Sequence, residues 1–463
     1  MYALCYTECI MKSLLRKSLD KLVKEKKRRV NVALLGLGMT NRALLDLLID
    51  MQDIVSITVR RKSTIKGEIP DTVSVIDGED AFEGLSEDVL FPSPSLRRER
   101  LNIPSDAVLI TDYDLLFDSR PQRLFLVSGS DGKSTTVAMA SELLCPTFPD
   151  IFTGGNIGIP LWNADRGASA FLLELSSFTL RYATASGGRA LLTNVTPNHL
   201  DWHESLTEYE DTKLSLIRAA DEPILNLDDA VSERVARGIH TFALVSMTKT
   251  RDNIIAKYNT EHTVTIEDGA IYVDGTHIVS LCEVKNRERH NVENLAMAIA
   301  MSIGYTDKMR IREVASTFNL LGERCERFQK DGITYISSSI DTTPQRTRAT
   351  LEGLAQRVRI ILGGRGKGLS LLPLRDVLKR YATKIAIYGE IADEMLSLIN
   401  SDESLSKIPH QAFAHLGEAI DYINDGTMPN DTVILSPAAT SYGEFSDYKE
   451  RGEFFKSRVL HKK

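Results

Sequence analysis

The stretch that most constrains this chain is Leu124-Phe125-Leu126-Val127-Ser128-Gly129-Ser130-Asp131-Gly132-Lys133-Ser134-Thr135-Thr136. An apolar run reads as a buried strand, two glycines bracket a short loop, and Val137 to Leu144 has helical composition. That order is the layout of a phosphate-binding loop. Backbone N–H groups and the positive end of the helix dipole can hold phosphate oxygens, Lys133 can reach the terminal phosphates, and Ser134 can offer a hydroxyl to Mg2+. The pattern G-x-x-x-x-G-K-[ST] is not met, because Val127 stands five before Gly132; the loop is the shorter G-x-x-G-K-S-T-T. From these residues alone, a strand–turn–helix without a ligand stays open.

A length of 463 residues suggests about three domains. With 26% charged and 43% hydrophobic residues the composition is that of an ordinary globular protein. The net charge of −7 makes no electrostatic case for nucleic acid or an anionic membrane as the main partner. Five scattered cysteines argue for a reducing compartment, hence the cytoplasm, and against a disulfide framework; Cys5 and Cys9 are a weak zinc pair. No apolar run approaches the roughly 18 residues that span a bilayer, so membrane insertion is not expected. Residues 1–29, basic from Lys12 to Arg29, read as a solvated, partly helical leader rather than a secretory signal.

Val30 to Leu35 is a second buried-strand pattern, turned by Gly36-Leu37-Gly38-Met39-Thr40-Asn41 into a helical run from Arg42 to Met51. Gly36 and Gly38 permit a tight turn and the close approach of a diphosphate. The third glycine of the dinucleotide fingerprint is Asn41, and the next strand, Ile54 to Val59, runs into Arg60-Arg61-Lys62 where an NAD ribose would want an acid. A phosphate-bearing nucleotide held by cations suits these residues better than NAD. Val89 to Ser95 reads as a strand ending in a Pro-stiffened loop containing Ser93, with Arg97, Arg98 and Arg100 beyond as ligand contacts or a solvated charge run.

In the middle of the chain, Phe152 to Gly158 is a Gly-rich turn carrying Asn156, and Ala170 to Phe178 sets Glu174 at the end of an apolar strand. A carboxylate there should be paired or metal-bound; beside a phosphate loop that is the usual way to hold Mg2+. Ala190 to Val195 is another strand, followed by Thr196-Pro197-Asn198-His199-Leu200-Asp201-Trp202-His203. His199 is a candidate metal ligand and His203 reads as a surface or capping side chain. A helix opening at Ser205 carries Lys213 toward this region.

The ordered set Gly-Ser-Asp-Gly-Lys-Ser-Thr-Thr, Gly-Asn-Ile-Gly (155–158), Glu-Leu-Ser-Ser-Phe (174–178), Asn-Val-Thr-Pro-Asn-His-Leu-Asp (194–201) and Lys213 resembles the central domain of the Mur ligases. The match continues through His290-Asn291-Val292-Glu293-Asn294, Arg327-Phe328, Leu362-Gly363-Gly364 with Lys367, and Leu435-Ser436-Pro437-Ala438, covering roughly residues 30 to 460. The resemblance implies an α/β protein of three domains: an N-terminal Rossmann-like domain (30–118) binding a UDP substrate, a central P-loop ATPase-like domain with a mainly parallel sheet (119–321), and a C-terminal Rossmann-like domain (322–463) binding an amino acid.

By the same resemblance, Gly129, Ser130, Asp131, Gly132, Lys133, Ser134, Thr135, Asn291, Asn294 and Arg327 bind ATP. Ser134 and Glu174 hold one Mg2+ and His199 with Lys213 a second. In the family the lysine matching Lys213 is carbamylated, which converts a cation into a bridging carboxylate. Lys133, Glu174, His199 and Lys213 carry the chemistry. Gly38, Met39, Thr40, Arg60, Arg61, Ser93 and Asn156 meet the UDP substrate, and Thr342, Lys367, Ser441, Tyr442 and Phe445 the acceptor. The implied reaction joins D-glutamate to UDP-N-acetylmuramoyl-L-alanine through an acyl phosphate, in a cytoplasmic protein expected to be a monomer.

Two departures bear on the acceptor. Ser338 occupies the place of a family acid, with Asp341 three residues later as a candidate replacement, and Gly443 stands where Asp is expected. Two other readings stay open on these grounds: another Mur ligase or a folylpolyglutamate synthase-like ligase with a different acceptor, and a catalytically silent nucleotide-binding paralogue.

Overall fold

The computed structural model describes residues 9–62, 69–156, 159–164, 167–183, 187–198, 202–319, 326–354, 356–366 and 369–461. It is an α/β protein, and among the described residues the strands form three sheets of five, nine and six strands. Met1–Val284 with Glu293–Ser316 make one compact unit, which contains the first two sheets; Lys285–Val292 with Thr317–Lys463 make the other, which contains the third.

The first sheet is parallel throughout, in the order Ser74–Asp77, Ile54–Arg61, Val30–Leu35, Val89–Pro92, Val108–Leu109. Val30–Leu35 lies in the middle, and its apolar residues, Val30 and Val32 to Leu35, are all buried, as expected of a strand covered on both faces. The helix after it, Met39–Leu48, begins three residues earlier than the composition suggests, because Gly38 in extended conformation ends the turn there. Gly36 has φ +83°, and a Cβ on it would stand 3.1 Å from Ser93 Cβ, so glycine lets the two strand ends close on each other. Asn41 explains the missing third glycine: its Nδ2 donates to the carbonyls of Leu35, Gly36 and Phe91 at 3.3, 2.8 and 3.1 Å, fastening the helix to two strand ends.

The expected solvated leader is, over its described part, a packed helix. Ile10–Lys26 buries Met11, Leu15, Leu19 and Leu22, spaced by four, four and three residues along one face. Each burial contributes about 1.5–3 kcal/mol. Cys9 Sγ donates to the carbonyls of Trp162 and Ala164, and Lys26 and Arg28 pair with Asp88 at 3.2 and 2.7 Å. A mean over a basic segment conceals one apolar stripe, and that stripe decides where the helix goes.

The nine-stranded sheet runs Thr276–Ser280, Ala270–Val273, Asn259–Glu267, His240–Ser246, Glu222–Asn226, Arg189–Leu192, Leu124–Ser128, Ala170–Glu174, Ile151–Gly155. A hairpin forms at its end: Ala270–Val273 and Thr276–Ser280 are antiparallel, and Asp274 and Gly275 both take positive φ, as a tight two-residue turn demands. From Asn259–Glu267 to Ile151–Gly155 the pairing is parallel.

In the second unit the order is Glu326–Lys330, Ile333–Ser337, Thr432–Leu435, Val358–Gly363, Ala382–Tyr388, His410–Phe413. All but the edge strand Glu326–Lys330 are parallel, so the loops following Ser337, Gly363 and Leu435 emerge side by side at one end of the sheet.

Candidate active site

Leu124–Ser128 sits between Ala170–Glu174 and Arg189–Leu192, and the helix Lys133–Leu144 starts from Gly132. Gly129 and Gly132 have φ of +143° and +79°; a Cβ would stand 1.9 Å from Thr193 Oγ1 at the first and 2.3 Å from Asn294 Oδ1 at the second. Neither place admits another residue without movement. The loop is braced from behind. Asn194 O accepts from Ser130 N and Asn194 Oδ1 from Asp131 N, both at 2.9 Å, while Thr193 Oγ1 donates to Asp131 O at 2.6 Å. Ser130 Oγ and Tyr209 OH lie 2.7 Å apart. Ser134 and Thr135 are buried in the first helical turn, where a hydroxyl faces the positive end of the dipole.

Two lysines converge on one carbonyl. Lys133 Nζ donates to Gly129 O at 2.8 Å and Ser130 O at 3.0 Å, and Lys213 Nζ donates to the same Gly129 O at 2.7 Å. Burial pushes the Lys213 amine well below the usual lysine range, and the neighbouring Lys133 adds to that; Asp131 and Glu174 pull the other way. A dry site beside a second cation favours the neutral amine.

Glu174 stands level with Val127 on one side and Gly155 on the other, at the mouth of the phosphate loop. Its Oε1 accepts from Asn156 Nδ2 at 3.0 Å, so Asn156 and Glu174 act as a pair. Its Oε2 is buried and has no hydrogen-bond partner among the described residues. A buried carboxylate oxygen left this way is costly unless a cation meets it. This carboxylate and the Ser134 hydroxyl are oxygen donors of the kind a hard divalent ion takes, whereas the Lys213 amine donates to Gly129 O. Among the described residues no group of three or more His, Cys, Asp or Glu side chains gathers as a metal site; His199 lies outside them.

His203 is a correction to the surface reading. It is buried among Phe178, Trp202 and Tyr209, with Nδ1 2.6 Å from Glu208 Oε2 and Nε2 2.9 Å from Ser177 Oγ. Burial lowers its pKa against the opposing pull of Glu208. Trp202 is its neighbour in sequence, but Phe178 and Tyr209 come from distant segments, so the aromatic cluster around it is assembled only by the fold.

Of the residues expected at a UDP substrate, Gly38 caps the helix whose first two residues are Met39 and Thr40, and Ser93 follows the adjacent strand Val89–Pro92; Met39 is exposed. Arg60 does not offer its charge: buried, it binds Glu87 through Nε and Nη2 and donates to the carbonyls of Ala81, Glu83 and Gly84. Arg61 pairs bidentately with Asp77 at 2.6 and 3.0 Å but keeps Nη1 buried without a partner among the described residues.

Asn294 packs under the phosphate loop, its Oδ1 accepting from Thr136 Oγ1 at 3.3 Å. Asn291 belongs to the second unit, where its Nδ2 donates to Glu288 Oε2 at 3.1 Å. Arg327 is exposed on the edge strand of that unit. Thr342 follows Ser337 by five residues, and Ser441 and Tyr442 follow Leu435, so Thr342 and Ser441 come from neighbouring strand ends. Ser441 is buried, Tyr442 is exposed, and the ring of Phe445 packs at a tilt against that of Phe454. Lys367 lies outside the described residues. Asp341, the candidate replacement for the absent acid at Ser338, turns inward: its Oδ2 accepts from Thr350 Oγ1 and Ser436 Oγ at 2.8 and 2.7 Å. Gly443 has φ +105°, and a Cβ there would point toward Glu390 Oε1 at 3.9 Å, so an Asp would be strained and face a carboxylate. Sequence reasoning passed over Thr193 and Tyr209, which brace the loop, and Asp112 and Tyr113; their neighbours are long-range in sequence and leave no local pattern.

Three mainly parallel α/β sheets with a phosphate loop in the largest define a nucleotide-dependent α/β enzyme. The family description "Mur ligase middle domain" matches residues 127–302. The UDP-N-acetylmuramoylalanine–D-glutamate ligase of Acetivibrio thermocellus is 30% identical over 460 residues, 94% of this chain and 97% of the relative. The ligase of the same name from Ruminiclostridium cellulolyticum is 28% identical, covering 95% and 98%. Among solved structures, MurF from Acinetobacter baumannii shares the fold with a TM-score of 0.57 at 14% identity, covering 93% of this chain and 90% of that one. The chain belongs to the Mur ligase family. It is accordingly an ATP-dependent ligase, and no described helix is long and apolar enough to cross a membrane.

Proposed function

We propose that the chain joins D-glutamate to UDP-N-acetylmuramoyl-L-alanine at the expense of ATP, a step in making peptidoglycan precursor, as a cytoplasmic monomer. The observation that carries this reading is the reach of the match: relatives of that name align over 94% and 95% of the chain, so both flanking regions are shared and not the ATP loop alone. Residues 30–118 bind the UDP substrate, 119–321 bind ATP, and 322–463 bind the amino acid.

Gly129 to Thr135 and Lys133 hold the ATP phosphates, with Asn291, Asn294 and Arg327 toward the nucleoside. Gly38, Met39, Thr40, Ser93 and Asn156 receive the UDP substrate, and the unspent Nη1 of Arg61 supports a place for it there. Ser134, Glu174, His199 and Lys213 hold Mg2+, which neutralises phosphate charge when bound. The neutral state favoured for Lys213 is what carbamylation requires, since only a free amine attacks CO2.

The terminal carboxylate oxygen of the UDP substrate attacks the γ-phosphorus, the bond to ADP breaks, and an acyl phosphate results. The acceptor's amine nitrogen then attacks the acyl carbon, loses a proton, and expels inorganic phosphate. Lys133 stabilises the transferring phosphoryl group, and Thr342, Lys367, Ser441, Tyr442 and Phe445 orient the acceptor. Supplying UDP-N-acetylmuramoyl-L-alanine, ATP, Mg2+ and D-glutamate to the folded protein should release phosphate dependent on all four; no release ends this reading.

Ser338 and Gly443 favour a second reading, in which the same chemistry serves another amino acid. A panel of acceptors separates the two, because a ligase for diaminopimelate or lysine would ignore D-glutamate.

A further inference from the structure

Arg451, on the helix Tyr448–His461, is completely buried in the second unit and makes no ion pair among the described residues. Its fork is spent on neutral acceptors. Nε donates to Ser339 Oγ at 2.9 Å, Nη2 to Ser339 O at 2.7 Å, and Nη1 to Ala439 O at 3.1 Å, with Gly363 O and Tyr388 OH farther off at 3.5 and 3.4 Å. Ser339 Oγ in turn donates to Tyr448 O at 2.7 Å, tying the first loop to the start of the helix that bears the arginine.

The three backbone partners have one thing in common. Ser339, Gly363 and Ala439 lie at or just beyond the ends of Ile333–Ser337, Val358–Gly363 and Thr432–Leu435, three adjacent parallel strands. In such sheets ligands bind outside the strand ends. Thr342 lies three residues beyond Ser339, and Ser441 two beyond Ala439. Gly364, where a Cβ would stand 3.0 Å from Arg451 Nη1, lets the third loop lie against the guanidinium.

An ionised side chain in the interior costs several kcal/mol unless an opposite charge repays it. Among the described residues none pairs with it: Glu444, whose charge acts on Tyr388, accepts from Leu416 N instead. Dipoles of carbonyls hold the cation in place without cancelling its charge.

We propose that Arg451 is a positioning residue for the acceptor pocket: it fixes the register of the three loops, and its uncompensated charge is completed by the carboxylates of an anionic amino acid. The proposal rests on the reading that Thr342 and Ser441 meet the acceptor. A neutral or cationic amino acid would leave the charge unanswered, so Arg451 contributes to the choice of acceptor as well as to its orientation.

The test compares Arg451→Gln and Arg451→Lys with the unaltered enzyme, on whichever acceptor the panel identifies. Measured are kcat, KM for acceptor, ATP and UDP substrate, acyl-phosphate formation without acceptor by hydroxylamine trapping, and the melting temperature. The expected result for Arg451→Gln is a rise of at least about tenfold in acceptor KM, with the other two KM values within twofold and acyl phosphate still formed. Arg451→Lys, which keeps the charge but not the fork, should show a smaller rise confined to the acceptor. An acceptor KM within twofold of the unaltered enzyme overturns the proposal, as does a rise shared by all three substrates. If Arg451→Gln does not fold, Arg451→Lys decides by the same criteria. Failure of D-glutamate in the unaltered enzyme would refute the proposed acceptor; a panel that finds a neutral or cationic acceptor refutes the role of Arg451.

Discussion

Asp112 gives a quantitative prediction. It is the first residue of the helix Asp112–Ser119, is 4% exposed, and has no cationic partner among the described residues. It lines a small cavity with Thr40, Phe91, Tyr113, Trp162 and Tyr182. Burial pushes its carboxyl up from 3.8 to about 7, overcoming the backbone N–H groups of Tyr113 and Asp112 that favour the anion; Asp114 adds a little in the same direction as burial. Between roughly pH 4 and 7 the folded protein therefore keeps a proton that the unfolded chain has lost. Stability contributed by this group is whole below pH 4, declines as pH rises toward 7, and is gone above it. A shift of about three units at 1.36 kcal/mol each makes the loss about 4 kcal/mol, as an upper bound.

Asp112→Asn is neutral at every pH and keeps the oxygen that accepts from Tyr113 N. Relative to the unaltered protein it should be about equally stable near pH 4 and more stable near pH 8, by up to about 4 kcal/mol. Urea unfolding followed by tryptophan fluorescence reads this directly, since the two tryptophans, Trp162 and Trp202, both lie in the first unit. A stability difference that does not grow between pH 4 and pH 8, or a variant less stable at pH 8, refutes the reasoning.

Glu174→Gln preserves shape while removing the charge of the carboxylate proposed to hold Mg2+. It should lower phosphate release by about 10³-fold or more, equivalent to several kcal/mol, and leave the melting temperature equal or higher; more than a tenth of the original rate would exclude a central role for the carboxylate. Leu15→Ala, in the fully buried stripe of the N-terminal helix, should cost about 2–5 kcal/mol in urea unfolding. Lys21→Ala, on its exposed side, should change stability by less than about 0.5 kcal/mol, and a Leu15 variant no worse than that would mean the helix is not part of the core.

Much of the site was legible because it is local. A strand, a glycine in positive φ and a helix N-terminus are neighbours in sequence, so Gly129 to Ser134 can be read without knowing what surrounds them. Glu174 was legible for the same reason: an acid closing an apolar strand has few uses. Arg60 and Arg61 mark where local reading stops. Side by side in sequence, they look like one basic pair, yet Glu87 and three carbonyls absorb the first while Asp77 leaves one nitrogen of the second unspent. Asp341 likewise stands near the place of an absent acid but turns toward Thr350 and Ser436.

The sequence by itself determined the alternation of strands and helices, the glycine-bracketed loop before the helix and the acid closing the neighbouring strand, because each depends on residues a few positions apart. Only the tertiary structure decided which charges are free. Lys213 reaches Gly129 across 84 residues and Arg451 reaches Ser339 across 112, and a basic segment with one apolar face became part of the core. The state of a charge is set by whatever the fold brings within a few ångströms of it and by how much water it removes, and neither is written in the residues on either side.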